Sequence, residues 1–318
     1  MRKIIRFGVL ASWLAACVAV TAQTYPDRTI RFIAPTTPGP TADMVARVIA
    51  EAMSKVLKQS IMVENKPGAE QVIGLEYIAK SAPADGYTVG VIGIDGQALM
   101  PLVRNGLRFD PLKDLTLVAG IGEVRYLLAS PMAAPPTNFK VLIAAAKAAP
   151  GKFNYGSSTP QVRLYTHSII QDLGLDLVHV PFPSGAPFLN ALVGSTIDWG
   201  LIAEGTAAPV KSRLRYHAIT GNTRSVANPD LPTFAELGFP RINGPAYALA
   251  VRTGTPQAII DKLSAAAATA LASPELKTNA QKILFDARYD NQEAILRASN
   301  ERFRFYQDLT KSVGLKPE

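Results

Sequence analysis

Ile30-Arg31-Phe32-Ile33-Ala34-Pro35-Thr36-Thr37-Pro38-Gly39-Pro40-Thr41-Ala42-Asp43 is the stretch that decides the fold. Ile30–Ala34 is a short apolar run stopped by a proline, which reads as a buried strand. Thr36–Thr41 holds two prolines and a glycine and reads as a loop. Ala42–Lys58 then carries Val45, Ile49, Met53, Val56 and Leu57 at helical spacing. The unit is therefore strand, loop, helix.

The same unit recurs outward from it. Ile61–Val63 reads as a strand, Lys66-Pro67-Gly68 as a turn, Val72–Ser81 as a helix and Tyr87–Ile92 as a strand. Beyond Pro135, helices are predicted at Phe139–Ala148, Leu164–Leu173 and Pro187–Val193, and strands at Phe153–Tyr155, Leu177–Val180, Ile197–Ile202 and Tyr216–Thr220. Tyr247–Val251 is the last strand predicted. Helices at Pro256–Ala272, Pro274–Lys282 and Gln292–Val313 follow it. The final helix has Ile295, Ser299, Phe303, Tyr306, Leu309 and Val313 on one stripe and should pack on a domain surface. Alternating strands and helices predict an α/β fold of two doubly wound sets, parallel-rich and covered by helices on both faces. Small molecules bind such sheets at the carboxyl ends of the strands, so two facing sheets would place a cleft between them.

Composition agrees. The chain of 318 residues has room for two domains of ~150 residues each. At 48% hydrophobic and 18% charged it is too apolar for disorder. Cys17 is the only cysteine, which excludes a disulfide framework and a thiolate metal site. The formal net charge is +8, three units of it on Arg2, Lys3 and Arg6, and the other basic residues are scattered. That distribution excludes a nucleic-acid binder.

The first residues read as an address. Met1–Arg6 is basic, and Phe7–Val20 is apolar but shorter than the ~20 residues needed to span a bilayer. Val20-Thr21-Ala22 places small residues before a cleavage point at Gln23. Residues 1–22 are therefore expected to be a secretory signal peptide and the mature protein periplasmic. Leu14-Ala15-Ala16-Cys17 also resembles a lipobox, in which two acyl chains on Cys17 would anchor the protein. Val18-Ala19-Val20 argues against it, and both fates stay open.

Catalytic chemistry is sparse. There is no Gly-x-Ser-x-Gly elbow, no phosphate-binding lysine loop and no Gly-x-Gly-x-x-Gly. His167, His179 and His217 lack metal-ligand spacing. His179 lies in a predicted strand and reads as a packed or edge histidine. A hydrolase would need Ser157 or Ser158 hydrogen-bonded to a histidine. Anion binding has more support. Residues 35–43 join a strand to a helix start, a junction that offers unpaired N–H groups and the positive end of a helix dipole. Tyr155-Gly156-Ser157-Ser158-Thr159 is its counterpart in the second set. Taken alone, a gripping pair and two ordinary βα loops fit these residues equally.

These same residues carry a family likeness. Tyr25-Pro26-Asp27-Arg28-Thr29-Ile30, Pro38-Gly39-x-x-x-Asp43 and Val63-Glu64-Asn65-Lys66-Pro67-Gly68-Ala69 come in this order. Ala84-Asp85-Gly86-Tyr87-Thr88, Phe109-Asp110-Pro111-x-Lys113-Asp114 and Pro150-Gly151-Lys152-Phe153-Asn154-Tyr155-Gly156-Ser157-Ser158 follow. Val178-His179-Val180-Pro181, Pro229-Asp230-Leu231-Pro232-Thr233-Phe234-Ala235-Glu236 and Gly254-Thr255-Pro256 complete the series. In order and spacing the chain resembles the substrate-binding receptors of tripartite tricarboxylate transporters, the Bug family.

The resemblance implies two domains joined by a two-stranded hinge, a type II periplasmic-binding-protein-like architecture. Residues 23–124 plus 226–318 would form one domain and 125–225 the other. It implies that a small carboxylate-bearing metabolite is held largely through backbone groups and is passed to a membrane permease or a sensor. The candidate ligand-binding residues are Thr36, Thr37, Pro38, Gly39, Thr41, Ala42 and Asp43 on the first loop, with Ile94 and Asp95 beyond the third strand. On the other side they are Ser157, Ser158, Thr159, Arg163, Ala203 and Glu204. Asp43 is expected to brace its helix start rather than touch an anion.

Departures bear on the ligand. Pro40 stands where the family has a second glycine and removes an N–H donor. The loop after Ser158 is shorter and brings Arg163. Ala203-Glu204-Gly205 replaces an Asp-Asn pair, and Ala246-Tyr247-Ala248 replaces Trp-x-Gly. Arg125, at the expected first hinge, reads either as a hinge-edge residue or as the holder of a second carboxylate. The expectation is a monomeric solute-binding protein with no cofactor, no metal and no enzymatic activity. A secreted hydrolase using the same cleft, and a diverged sensory receptor with an altered ligand, are the alternatives.

Overall fold

A computed structural model describes residues 25–39, 41–134, 137–182, 185–221, 223–315 and 317. The signal-peptide and Cys17 readings, and the reading of Pro40, lie outside these residues. The opening unit forms as expected: β1 (Ile30–Ala34), then α1 (Thr41–Leu57). Next come β2 (Ile61–Asn65), α2 (Val72–Glu76) with a wide turn over Tyr77–Ser81, and β3 (Thr88–Gly93). The helix α3 (Ile94–Val103) and the strands β4 (Leu115–Val124) and β5 (Tyr126–Pro131) occupy a region where the sequence predicted no element.

The second set runs α4 (Phe139–Ala148), β6 (Asn154–Ser157), α5 (Pro160–Leu173), β7 (Val178–Pro181), α6 (Gly185–Val193), β8 (Trp199–Ala203), α7 (Glu204–Ala207) and β9 (Leu214–Ile219). The chain closes with β10 (Ala246–Arg252), α8 (Gln257–Ala272), α9 (Pro274–Lys282), β11 (Phe285–Asp290) and α10 (Gln292–Ser312).

Two sheets result, ordered β11-β4-β10-β3-β1-β2 and β7-β6-β8-β5-β9. Both are mixed rather than parallel-rich. The βαβ halves β2-β1-β3 and β7-β6-β8 are parallel, whereas β10 is antiparallel to β3 and β4, and β5 is antiparallel to β8 and β9. The cause is the connection between the sheets. The chain leaves the first sheet through β4, enters the second through β5 and returns as β10 beside β4, so leaving and returning strands run opposite ways.

Each sheet has helices on both faces. In the first, Phe32, Val89 and Leu249 pack with Ile49, Leu263 and Ala267 on one face, and Ile33, Ile92 and Leu117 pack with Leu75 and Ile295 on the other. In the second, Phe188 and Leu192 cover one face, while Tyr165, Ile169 and Leu142 cover the other around Trp199. That last cluster also takes Leu99 of α3 and Tyr306 and Leu309 of α10. The final helix therefore does more than cover one domain, because Ile295 belongs to the first core and Tyr306 to the second. The returning chain stays with the second sheet as far as Phe234, Phe239 and Ile242. We place the return crossing at Gly244–Pro245, later in the chain than position 226.

Between β5 and β9, Ser130 Oγ and His217 Nε2 lie 2.7 Å apart and both residues are buried. Burial, followed by the charge of Arg215, pushes His217 down to about 4. The fold thus holds this imidazole neutral where the unfolded chain, near 6.5, binds a proton. As pH falls below 6.5 the unfolded state gains that proton and stability declines, by roughly 1.4 kcal/mol per unit, until the folded pKa near 4 is reached. From pH 6.5 to 5 the loss from this group is expected to be about 2 kcal/mol. Urea titrations at both pH values should show a smaller decline in His217→Gln. Equal declines in both proteins would refute the assignment.

Candidate ligand-binding cleft

The candidate site is assembled where the two sheets meet. Two adjoining cavities of about 570 and 330 Å3 lie between the first and second sets of elements. One wall is Thr36, Gln71, Val72, the α3 residues Gly96, Leu99, Met100 and Val103, and Arg104 just beyond that helix. The other is Ser157, Ser158, Thr159, Pro160, Gln161 and Arg163, with His179 and Phe182 beyond. Of the residues singled out in the sequence, this cleft gathers Thr36, Ser157, Ser158, Thr159 and Arg163.

The α5 side presents unpaired donors to the cleft. Thr159 caps the helix, its Oγ1 accepting from the Val162 N–H at 3.2 Å. Pro160 sits at the first helical position, where a missing N–H costs nothing. Among the described residues, no partner holds the N–H of Ser158 or Thr159. The guanidinium of Arg163, one turn into the helix, likewise makes no ion pair or hydrogen bond with a described residue. The Nε2 of Gln161 is buried and unpaired. Free amides, a helix dipole and an unpaired cation therefore share one wall.

The first loop differs from the expectation. The Thr36 N–H donates to Ala34 O at 2.8 Å, and the Gly39 N–H donates to Asp43 Oδ2 at 3.0 Å. Asp43 is buried and also takes Arg47 and Asn65 Nδ2. Burial raises the Asp43 carboxyl, but the hydrogen bonds from Arg47, Gly39 and Asn65 together hold it below the ordinary carboxylate range. Asp43 braces its helix start and does not face the cleft. Thr37, Pro38 and Gly39 are exposed and Thr41 and Ala42 half-buried, and none of them lines the cavities. Two of the first loop's amides, those of Thr36 and Gly39, are thus held within the chain, whereas those of Ser158 and Thr159 open onto the cavities.

Four further candidates, Ile94, Asp95, Ala203 and Glu204, do not line the cavities. Ile94 is fully buried in the first core. Asp95 is also buried, and its carboxylate accepts from Tyr165 Oη (2.8 Å), Tyr306 Oη (2.9 Å), Arg302 Nε (3.0 Å) and Ala246 N (2.9 Å). Glu204 is buried and accepts from Ser225 Oγ at 2.7 Å and Asn228 Nδ2 at 2.6 Å. Both acids are internal struts, and Ala203, just before Glu204, does not line the cavities. Arg125 proves to be a hinge residue. It links β4 to β5, donates to the carbonyl oxygen and hydroxyl of Thr223, and pairs with Asp286 at 2.6 Å.

Ser157 Oγ lies 2.7 Å from His179 Nε2, the pairing on which a hydrolase reading would turn. Among the described residues no carboxylate reaches His179 Nδ1, and Ser157 is itself buried. The triad logic is incomplete. Burial, then the positive charge of Arg163, lowers the His179 pKa, so the ring is neutral at pH 7 and accepts or donates one hydrogen bond to the serine. Glu70, Gln71, Arg104 and Gln161 also line the cleft but had not been singled out in the sequence.

Two helix-covered mixed sheets, joined by crossing strands around a cleft, define a two-domain receptor of the periplasmic-binding-protein type. A profile of the tripartite tricarboxylate transporter family receptor matches residues 45–315, and the chain belongs to that family. It is 32% identical to BugT of Bordetella pertussis, over 80% of this chain and 79% of that protein. Among solved structures, an adipate-bound Rhodopseudomonas palustris protein superposes with a TM-score of 0.79 at 27% identity, covering 92% of this chain and 100% of that one. A malate-bound protein from the same organism gives 0.71 at 26%, covering 90% and 99%. The family is one of transporter receptors and lends the hydrolase reading no support.

Proposed function

We propose that this chain is an extracytoplasmic solute-binding protein that captures a small carboxylate between its two sheets and delivers it to a membrane permease. One observation carries the reading: the free N–H groups of Ser158 and Thr159 and the unpaired Arg163 share one wall of the cleft. The adipate and malate held by two structural relatives support a carboxylate as cargo. Export by residues 1–22, with Cys17 either removed or lipidated, suits a receptor working outside the cytoplasmic membrane. No helix among the described residues is long and apolar enough to cross a membrane. The protein acts as a monomer that closes on its ligand, a population shift between open and closed forms.

Thermal-shift screening of ligand-free protein against mono-, di- and tricarboxylates tests this. A true ligand at a hundred times its Kd should add about 2.7 kcal/mol of stability. Arg163→Gln should weaken that ligand roughly tenfold or more, the loss of one charge-assisted bond. Stabilisation by no carboxylate at all would sink the proposal.

A further inference from the structure

Glu70 and Arg104 form an ion pair at 2.9 Å on the first wall of the cleft. Both residues line both cavities, as do Val103 and, opposite, Ser158, Thr159 and Pro160. The pair therefore stands at the seam of the cleft. On one side lies the chamber of Arg163 and His179, and on the other the chamber of Thr36 and Gln71.

The segment that carries Glu70 is unusual. Gly68 has φ 127°, and the non-glycine residues Ala69, Glu70 and Gln71 follow at φ 44°, 53° and 82°. Three successive side-chain-bearing residues in the left-handed region are strained, and such strain gathers at sites that move. None of the three is buried, so apolar packing does not hold the segment down. The Glu70 carboxylate has Arg104 as its partner, and the Gln71 N–H closes on Gly68 O at 3.1 Å. A carboxylate of the chain's own is thus held on a strained, lightly anchored arm, in a cleft whose opposite wall is suited to carboxylates.

We infer that Glu70 is a built-in competitor for Arg104: it occupies the guanidinium in the ligand-free protein, and the second anionic group of a ligand displaces it and joins the two chambers. This rests on the carboxylate reading above and adds a mechanism of selection to it. A ligand with one anionic group satisfies the α5 wall and leaves Glu70 in place. A ligand with two gains Arg104 once Glu70 swings out. Arg104 is then a specificity-determining residue, and Glu70 sets the threshold against singly charged compounds.

Calorimetric titration of ligand-free protein with a straight-chain diacid series and the matching monoacids decides it. Glu70→Gln should tighten the best diacid about fivefold, the worth of one partly exposed ion pair, and leave the matching monoacid within twofold. Arg104→Gln should weaken the diacid about tenfold and abolish the effect of Glu70→Gln in the double variant. Both side chains are partly exposed, so these variants should fold, and circular dichroism confirms it. Diacid binding that is blind to both substitutions, or a Glu70→Gln gain equal for monoacid and diacid, overturns the displacement while leaving the carboxylate reading intact. Binding of neither series by wild type or variants overturns both.

Discussion

Replacing Asp95 with alanine should destabilise the protein by about 3–5 kcal/mol, the range for stripping the partner from a buried charge. The carboxylate is buried and accepts from two tyrosine hydroxyls, one guanidinium and one backbone N–H. Burial works against the charge on Arg302, and Asp95 is the chief group that offsets it. With Asp95 gone, Arg302 keeps, among the described residues, only a 3.4 Å contact to Gly244 O. Tyr165 and Tyr306 lose their acceptor in the same step. The donors come from α5, α10 and β10, so the loss falls where the two halves of the molecule meet. Tyr306→Phe removes one donor and leaves the carboxylate satisfied, and should cost only about 1 kcal/mol. Denaturant titration of both variants, with comparable m-values, checks the pair of figures. A loss below 1 kcal/mol in Asp95→Ala would show that the four bonds are not acting as a hub. Because α3 and α5 also form opposite walls of the cleft, the variant should bind its ligand less tightly as well.

Asp95 and Glu204 show where sequence reasoning stopped. An acid at the end of a predicted strand looks like a ligand contact, because its partners are invisible. Those of Asp95 lie as far off as Tyr165, Ala246 and Arg302. The βα units at residues 30–57 and 154–173 were legible because strand, turn and helix carry local signals: an apolar run, then proline or glycine, then helical spacing. The crossing strands β4 and β5 were not. Leu115–Val124 is nearly continuous in apolar and small residues, without a turn signal before Arg125, and it mixes into the apolar stretch that follows.

At the site, Ser158 and the capping residue Thr159 were visible because a helix start has a signature. Glu70 and Arg104 were not, since a left-handed run of non-glycine residues leaves no mark in the sequence and their pairing is tertiary. The first loop was legible as a helix entry, but not the internal bonds that take the Thr36 and Gly39 amides. Asp43, four residues beyond Gly39, takes one of the N–H groups of that loop. His179 was weighed as a packed or edge strand residue, and its place at the cleft, beside Ser157 on the neighbouring strand, is tertiary.

The hinge should be as sensitive as the hub. Gly244 is buried where the returning chain passes the outgoing one, and the Val124 N–H donates to Pro245 O at 2.9 Å. A Cβ at position 244 would collide with the Val124 carbonyl oxygen and stand 3.0 Å from Thr220 Oγ1. Neither neighbour can yield easily. The Val124 oxygen is backbone, and Thr220 is tied twice to Tyr126, accepting its N–H at its hydroxyl and donating its own N–H to the Tyr126 oxygen, both at 2.8 Å. Gly244→Ala must therefore push the two crossing segments apart. It is expected to cost about 3 kcal/mol, at the upper end for overpacking because the obstacle is main chain. Gly93→Ala is the matched control, since a Cβ there meets nothing within 4 Å, and it should change stability little. Unfolding titrations of the two variants in parallel provide the check. If Gly244→Ala were as stable as Gly93→Ala, the crossing would have slack, and closure of the cleft could not be ascribed to rotation about a fixed pinch point. If it is destabilised as expected, ligand affinity in the surviving folded fraction should also fall, because the geometry that brings Ser158 and Arg163 toward Arg104 is set at this crossing.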